Sequence, residues 1–329
     1  MTYLLAVDGG ASKTDYLLAT LDGQIVKSHT HAPTSLTASG LGQAAFNLRE
    51  GVRQVFENVP PGEVAVMVLA IAGLDTHAEK QMATAVFHDI LHSWTIKQLV
   101  LVNDALAALV NGTHRTPSVV LVAGTGTNCI GRNQAGRIHK VSGLDYILSD
   151  EGSGYDAGRL TLKAAVSCDD GRTMSTVLRD VVFEHFQVTS ACELKAYVYN
   201  PPLHKNEIAR FAKSCVAAMH DGDVVATGII NYCLDQLVHN VATVARVLDF
   251  TGQEFDLVPA GSFLLHLLPE FEQRLSQVIP TYHLITPTTK PVSGSLYLAQ
   301  KIYQGTPAST YDLTRPQPST TPDVPTTSS

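Results

Sequence analysis

Residues 3–30 read Tyr3-Leu-Leu-Ala-Val-Asp8-Gly9-Gly10-Ala-Ser-Lys13-Thr14-Asp-Tyr-Leu-Leu-Ala-Thr20-Leu-Asp22-Gly23-Gln-Ile25-Val-Lys-Ser-His29-Thr30. Two apolar runs, 3–7 and 14–20, flank a loop too rich in glycine to be anything but tight. Asp22-Gly23 carries the hairpin signal before a third run at 25–30. The same order returns at 118–141. An apolar run at 119–122 leads into Gly124-Thr125-Gly126-Thr127-Asn128, and runs at 129–132 and 138–141 flank a turn at 134–137. Strand, glycine loop, strand, turn, strand therefore occurs twice, about one domain length apart. Two such loops facing each other predict a cleft between two copies of one fold.

Between the copies, helix and strand patterns alternate: helix 40–58, strand 64–71, helix 76–92, strand 98–102 and helix 104–112. That alternation predicts an α/β class with largely parallel central strands. The second half is more helical, with helices expected at 154–166, 173–186, 207–220, 224–248 and 263–277. Strands are expected at 255–259 and 282–285, and a last helix at 293–303. Residues 306–329 hold five Pro, seven Thr and four Ser, a composition that predicts a disordered tail.

The whole-chain arithmetic agrees with two domains. At roughly 150 residues per domain, 329 residues make two, each able to bury its own core. Hydrophobic residues are 45% and charged ones 16%, which excludes a disordered chain. Lys and Arg number 23 against 30 Asp and Glu, a formal net charge of −7. With no basic block, neither nucleic acid nor an anionic membrane is an expected partner. No apolar run approaches the ~20 residues of a membrane span, and Asp8 ends the first run without a basic leader before it. The cysteines at 129, 168, 192, 215 and 233 show no C-x-x-C spacing. A cytoplasmic, reduced protein with small core cysteines is expected.

Each motif has two readings. The loop Asp8-Gly9-Gly10-Ala-Ser-Lys13-Thr14 is either a hairpin turn or a cradle whose amides surround phosphate oxygens, with Lys13 and Thr14 as added donors. It is not a Walker A loop, since Ser12 stands where the Gly before Lys-Thr should be. Gly124-Thr125-Gly126-Thr127 fails the dinucleotide fingerprint at Cys129, but paired with the first loop it makes a second phosphate clamp. Asn103-Asp104 ends a strand and opens a helix, so Asp104 is either an N-cap or a general base at a sheet's carboxyl edge. Asp150-Glu151-Gly152-Ser153 offers carboxylates either to a helix cap or to sugar hydroxyls. His88 and His92 share a helix face, but the zinc hydrolase pattern needs Glu between them; a solvated face is expected.

These motifs, with Ala260-Gly261-Ser262, stand in an order and spacing that resembles the N-acetylglucosamine kinases and BadF/BadG/BcrA/BcrD ATPases of the actin–hexokinase–Hsp70 superfamily. The likeness covers about residues 3–303. It implies a duplicated ribonuclease H-like, actin-like ATPase fold with a nucleotide cleft between its domains. The first domain would span 1–115 and the second 116–292, with helix 293–303 packing back on the first and 304–329 as tail. It further implies an ATP- and Mg²⁺-dependent sugar kinase acting on an amino sugar, at the 6-hydroxyl, commonly as a homodimer. Gly9, Gly10, Lys13 and Thr14 would form the first phosphate loop and Asp8 would lie near Mg²⁺. Gly124, Thr125, Gly126 and Thr127 would form the second, Gly261 and Ser262 would border the adenosine, and Asp104 would be the base. Ser35, Asn103, Asp104, Thr127, Gly143, Asp145 and Asp150 would face the sugar.

Three positions depart from the family pattern. Ser35 stands where Asn is usual, Leu144 where Trp is expected, and Asp145 where Gly is expected. The added carboxylate predicts activity on glucosamine or glucose comparable to, or better than, that on N-acetylglucosamine. The rival class is a BadF-type ATPase that activates a partner enzyme through an iron–sulfur cluster, which needs clustered thiolates; here the closest cysteines, 215 and 233, are 18 residues apart. A sugar-sensing repressor would need an N-terminal helix-turn-helix, for which a strand starting at residue 3 leaves no room.

Overall fold

In a computed structural model that describes residues 1–250 and 252–314, two five-stranded sheets are built to one plan. The first comprises β1 (Thr2–Gly9), β2 (Thr14–Thr20), β3 (Ile25–His31), β4 (Glu63–Ile71) and β5 (Leu99–Asn103), in the order β3-β2-β1-β4-β5. The second comprises β6 (Ser118–Ala123), β7 (Thr127–Arg132), β8 (Ile138–Ser142), β9 (Phe255–Ala260) and β10 (Tyr282–Leu284), in the order β10-β9-β6-β7-β8. In each, an antiparallel three-strand meander leads into parallel strands, so the duplication read from the two glycine loops is real in three dimensions.

The helices of the first half are α1 (Leu36–Ser39), α2 (Leu41–Phe56), α3 (His77–Ile90) and α4 (Asp104–Gly112). Those of the second are α5 (Gly154–Asp169), α6 (Val177–Phe186), α7 (Ala191–Tyr199), α8 (Lys205–Ala209), α9 (Phe211–His220), α10 (Val224–Val247), α11 (Ser262–His266), α12 (Leu268–Val278) and α13 (Val292–Tyr303). α2 and α3 cover one face of the first sheet through Leu48, Val52 and Phe87. Its other face packs on α4 and α13, and these same helices touch Val120, Ile130 and Val258 of the second sheet. A shared core thus binds the lobes at the base of the cleft. It is tight: a Cβ on Gly294 of α13 would lie 2.0 Å from the Ala107 carbonyl oxygen of α4. α4 cannot shift without disturbing both sheets, and Asp104 is its first residue.

Several expectations need amendment. Residues 263–277 form two helices broken at Leu267 (φ −115°, ψ 17°), because Pro269, in the first turn of the second helix, has no N–H to donate back to the first. The helix expected from 173 starts at Val177, where Thr176 caps it. The stretch 207–220 is jointed at Arg210. α1 and α7 were not read at all. The tail also differs. Ala308–Tyr311 is a 3₁₀ turn, Tyr311 is buried against the shared core, and Lys80 pairs with Asp312 at 2.9 Å. The rest of the expected tail, 315–329, lies outside the described residues. Among the described residues no helix is long and apolar enough to cross a membrane.

Candidate active site

β1 ends at Asp8-Gly9, and the turn to β2 closes with Gly10 N–H donating to the Lys13 carbonyl at 3.0 Å. Gly9 is demanded by packing: a Cβ there would sit 2.1 Å from Thr34 Oγ1 and 2.7 Å from Ile71 Cδ1. Thr14 is fully buried and donates its hydroxyl to the Ala32 carbonyl at 2.8 Å, so its side chain braces the loop from behind instead of facing a ligand. Lys13 is exposed and pairs with Asp15 at 3.1 Å. A second cation, missed by sequence reasoning, reaches the same carboxylate: Lys290, just before α13, lies 3.0 Å from Asp15. Only the fold brings residue 290 to the first loop.

Asp104 and Asn103 divide their labour differently from either sequence reading. The cap of α4 is Asn103, whose Oδ1 accepts from Ala105 N–H at 3.0 Å. Asn103 Nδ2 donates to Asp75 at 3.0 Å and its Oδ1 also accepts from Asn128 at 3.2 Å. Asn103 is thereby committed to structure and takes the cap in place of Asp104, whose carboxyl pKa is still lowered by the Ala105 and Asp104 amides. Burial raises Asp104 to about 6, with the Asp75 charge adding to the rise and Lys140 opposing it. Burial likewise raises Asp8 to about 7, with Asp104 and Asp15 adding to it. Two carboxylates that feel each other, at the ends of β1 and β5, mark the floor of the cleft. Asp75 and Lys140, neither found from sequence, join the lobes beside them by a direct ion pair.

The second glycine loop folds against its neighbours through backbone contacts. Gly154 N–H donates to the Gly124 carbonyl at 2.7 Å and Tyr155 N–H to that of Thr125 at 3.1 Å. Gly261 has φ +89°, and a Cβ there would fall 2.4 Å from the Ala123 carbonyl, so only glycine fits where the two strand ends meet. Gly124, Thr125 and Ser262 border one cavity of about 360 Å³, with Arg210, Lys213 and Phe263 on its other walls. That volume suits a nucleoside. Sequence reasoning placed Ser262 here and missed Arg210 and Lys213, which lie on a helical stretch with no motif.

Thr127 is buried, its hydroxyl 2.9 Å from Ser142 Oγ and its N–H donating to Asp150 at 3.2 Å. Gly143 has φ +74°; a Cβ there would press on Asn128 and Lys140, both at 2.9 Å. Asn128 Oδ1 is buried and finds no partner among the described residues, leaving it able to accept from a ligand hydroxyl. Ser35 caps α1 by accepting from Ala38 N–H at 3.2 Å, and its own O–H remains to donate. Asp145 does not present a bare charge, because Lys205 bonds it at 2.5 Å and Asp150 at 2.7 Å. Leu144 is half exposed. The aromatic surface of this loop is Tyr146, whose ring lies 4.8 Å from that of Tyr155. His88 is exposed on α3, as expected, but α3 ends at Ile90, so His92 lies in the turn beyond and does not share its helix face; Cys192, expected in a core, is exposed too.

No group of three or more His, Cys, Asp or Glu among the described residues could hold a metal ion unaided. Mg²⁺ is commonly held by one or two carboxylates together with substrate phosphates, and Asp8, beside the first loop and close to Asp104 and Asp15, fits that donor set.

Comparison with known proteins agrees with this architecture. The chain is 28% identical over 306 residues to the N-acetylmuramic acid/N-acetylglucosamine kinase of Clostridium acetobutylicum, covering 91% of this chain and 99% of that one. It is 25% identical over 310 residues to the N-acetyl-D-glucosamine kinase of Dictyostelium discoideum, covering 90% and 97%. Among solved structures, a Chromobacterium violaceum protein provisionally assigned as an N-acetylglucosamine kinase superposes with a TM-score of 0.72 at 21% identity, covering 90% of this chain and 98% of that one. The two-lobed α/β fold expected from the duplicated loops is shared. The profile of one family matches residues 5–299, and on that match the chain belongs to the BadF/BadG/BcrA/BcrD ATPase family.

Proposed function

We propose that the protein is an ATP-dependent sugar kinase that transfers the γ-phosphoryl group to a hydroxyl of an amino sugar, at position 6, such as N-acetylglucosamine or glucosamine. The observation that carries this reading is Asp104: a half-buried carboxylate at the cleft floor, beside an Asn103 that caps α4 in its place, and raised to about 6. A base with that pKa is ionised at neutral pH yet still basic enough to take a hydroxyl proton. The named activities of the two curated relatives support the same class.

Adenosine would occupy the cavity between Ser262, Phe263 and Arg210, with its phosphates running toward Gly124–Thr127 and the 9–13 loop. Lys13 and Lys290, both parked on Asp15, would turn to the phosphates and offset their charge. Asp8 would hold Mg²⁺, which supplies charge neutralisation to the triphosphate. Asp104 would accept the proton of the sugar hydroxyl as that oxygen attacks in line with the γ-phosphate. Asp150, Asn128 Oδ1 and the Ser35 hydroxyl would orient the ring. Closure of the lobes would exclude water, which competes as acceptor. A homodimer in the cytoplasm completes the proposal.

The activator reading is less well supported. Burial raises the Cys215 thiol to about 11 and pushes Cys129 and Cys233 up as well, so these three stay protonated, whereas cluster ligation needs thiolates. ADP release measured with Mg²⁺ against a panel of sugars, beside an iron assay, separates the two. Sugar-stimulated ADP release with no bound iron is expected; ATPase activity indifferent to every sugar would overturn the kinase reading.

A further inference from the structure

Lys205, the first residue of α8, lies between the second glycine loop and the 143–151 loop, and no sequence motif points to it. Its ammonium is held by Asp145 and Asp150 together and lies 5.6 Å from the centre of the Tyr146 ring. Three features show that the surroundings are shaped around this trio. Asp145 and Asp150 both have left-handed backbone, φ +70° and +78°, uncommon outside glycine. Gly126 leaves them room: a Cβ there would lie 2.6 Å from Asp150 Oδ2 and 3.1 Å from Lys205 Nζ. α8 in turn is pressed onto α5, where a Cβ on Gly158 would come within 2.0 Å of the Ile208 carbonyl oxygen. Lys205 therefore cannot drift away with its helix.

Two carboxylates against one ammonium leave this wall at −1. The neighbouring Asp75 is matched by Lys140, and Asp104 adds a further negative charge when ionised. We infer that Lys205 is a positioning residue that draws Asp145 onto Asp150 and fixes the charge of the acceptor site, so that the site ranks sugars by charge: cationic or neutral above anionic. This deepens the kinase reading and rests on it. An acceptor carboxylate would have to share the one ammonium with two fixed carboxylates, while a sugar ammonium meets an excess of acceptors.

The test compares kcat/KM by ADP release for glucosamine, N-acetylglucosamine and N-acetylmuramic acid, in the wild type, Lys205→Met and Asp145→Asn. Ratios between sugars on one protein cancel losses from imperfect folding. The wild type should use N-acetylmuramic acid at least tenfold less efficiently than N-acetylglucosamine. Asp145→Asn, which brings the trio to neutrality, should narrow that gap, and Lys205→Met, which leaves two unmatched carboxylates, should widen it. An acidic sugar used within tenfold of the neutral one by the wild type, or a gap unmoved by both variants, overturns the inference. Failure to phosphorylate any sugar is a different result, since it removes the kinase reading and this inference with it.

Discussion

Lys140 of β8 and Asp75, in the loop between β4 and α3, form an ion pair that crosses the cleft beside Asp104. Both ends act on the same carboxyl: the Lys140 charge lowers the pKa of Asp104 and the Asp75 charge raises it. Asp75 also accepts from Asn103, the cap of α4. The inter-lobe tie, the helix start and the proposed base are therefore one network. Lys140→Met should raise Asp104 further above 6 and move the acid limb of the kcat/KM profile to higher pH. A displacement of half a unit to one unit costs roughly two- to fivefold in rate near pH 6, approaches three- to tenfold well below it, and costs little at pH 8, since one pKa unit is a factor of ten. A pH–rate profile checks this; an unmoved limb would separate Asp104 from the rate.

Asp104→Asn keeps the volume and hydrogen-bonding shape of the side chain and removes its basicity. Asn103 still caps α4, so the fold should hold. The expected outcome is loss of kcat by at least ~10², with sugar and nucleotide affinity retained. Single-turnover kinetics beside equilibrium binding would show it, and near-normal turnover would remove Asp104 from the mechanism.

Asp8 and Asp104 also predict how stability follows pH. Their folded pKa values, about 7 and about 6, stand above the ordinary 3.8 of a free aspartate. Between about pH 4 and 7 the folded chain therefore binds more protons at these sites than the unfolded chain, and their contribution falls as pH rises. Ligand-free protein should lose melting temperature across that window, and Asp8→Asn should flatten the loss. MgATP should reverse it, because a cation at Asp8 favours the ionised form. Thermal scans from pH 5 to 8 with and without MgATP are the measurement.

What the sequence disclosed and what it withheld follow a physical line. The two glycine loops, the Asp8 strand end and the Asp104 helix start were legible because turn chemistry and strand-to-helix junctions are local. Lys140, Asp75, Lys205 and Lys290 were not. Each is an ordinary charged residue whose role arises from a partner far along the chain: 65 residues for Asp75–Lys140, 275 for Asp15–Lys290. Asn103 taking the cap was also hidden, because adjacent Asn and Asp are equally good caps and only backbone geometry chooses between them. Thr14 looked like a donor to phosphate, yet strand alternation turns it inward, onto the Ala32 carbonyl.

The tail offers the last test, since composition and structure disagree over its first residues. Proline, threonine and serine around 306–314 argued against docking, but one aromatic outweighs them. Tyr311 keeps only 6% of its surface exposed, against the core shared by α4, α13 and both sheets, and Lys80 holds the next residue, Asp312. Removing a buried aromatic ring costs about 3–5 kcal/mol at a fully enclosed site, and somewhat less here at the edge of the core. Tyr311→Ala should therefore lower the melting temperature by several degrees, at roughly 2–4 °C per kcal/mol for lobes of this size. Lys80→Ala should move it by less, because a pair that is still partly solvated is worth only about 1 kcal/mol. Because the ring belongs to the core that α4 and α13 share, Tyr311→Ala should also reduce kcat while leaving nucleotide affinity near normal. Unchanged melting and turnover in that variant would show that the segment contributes no burial in solution and that the composition argument was sound for the whole tail.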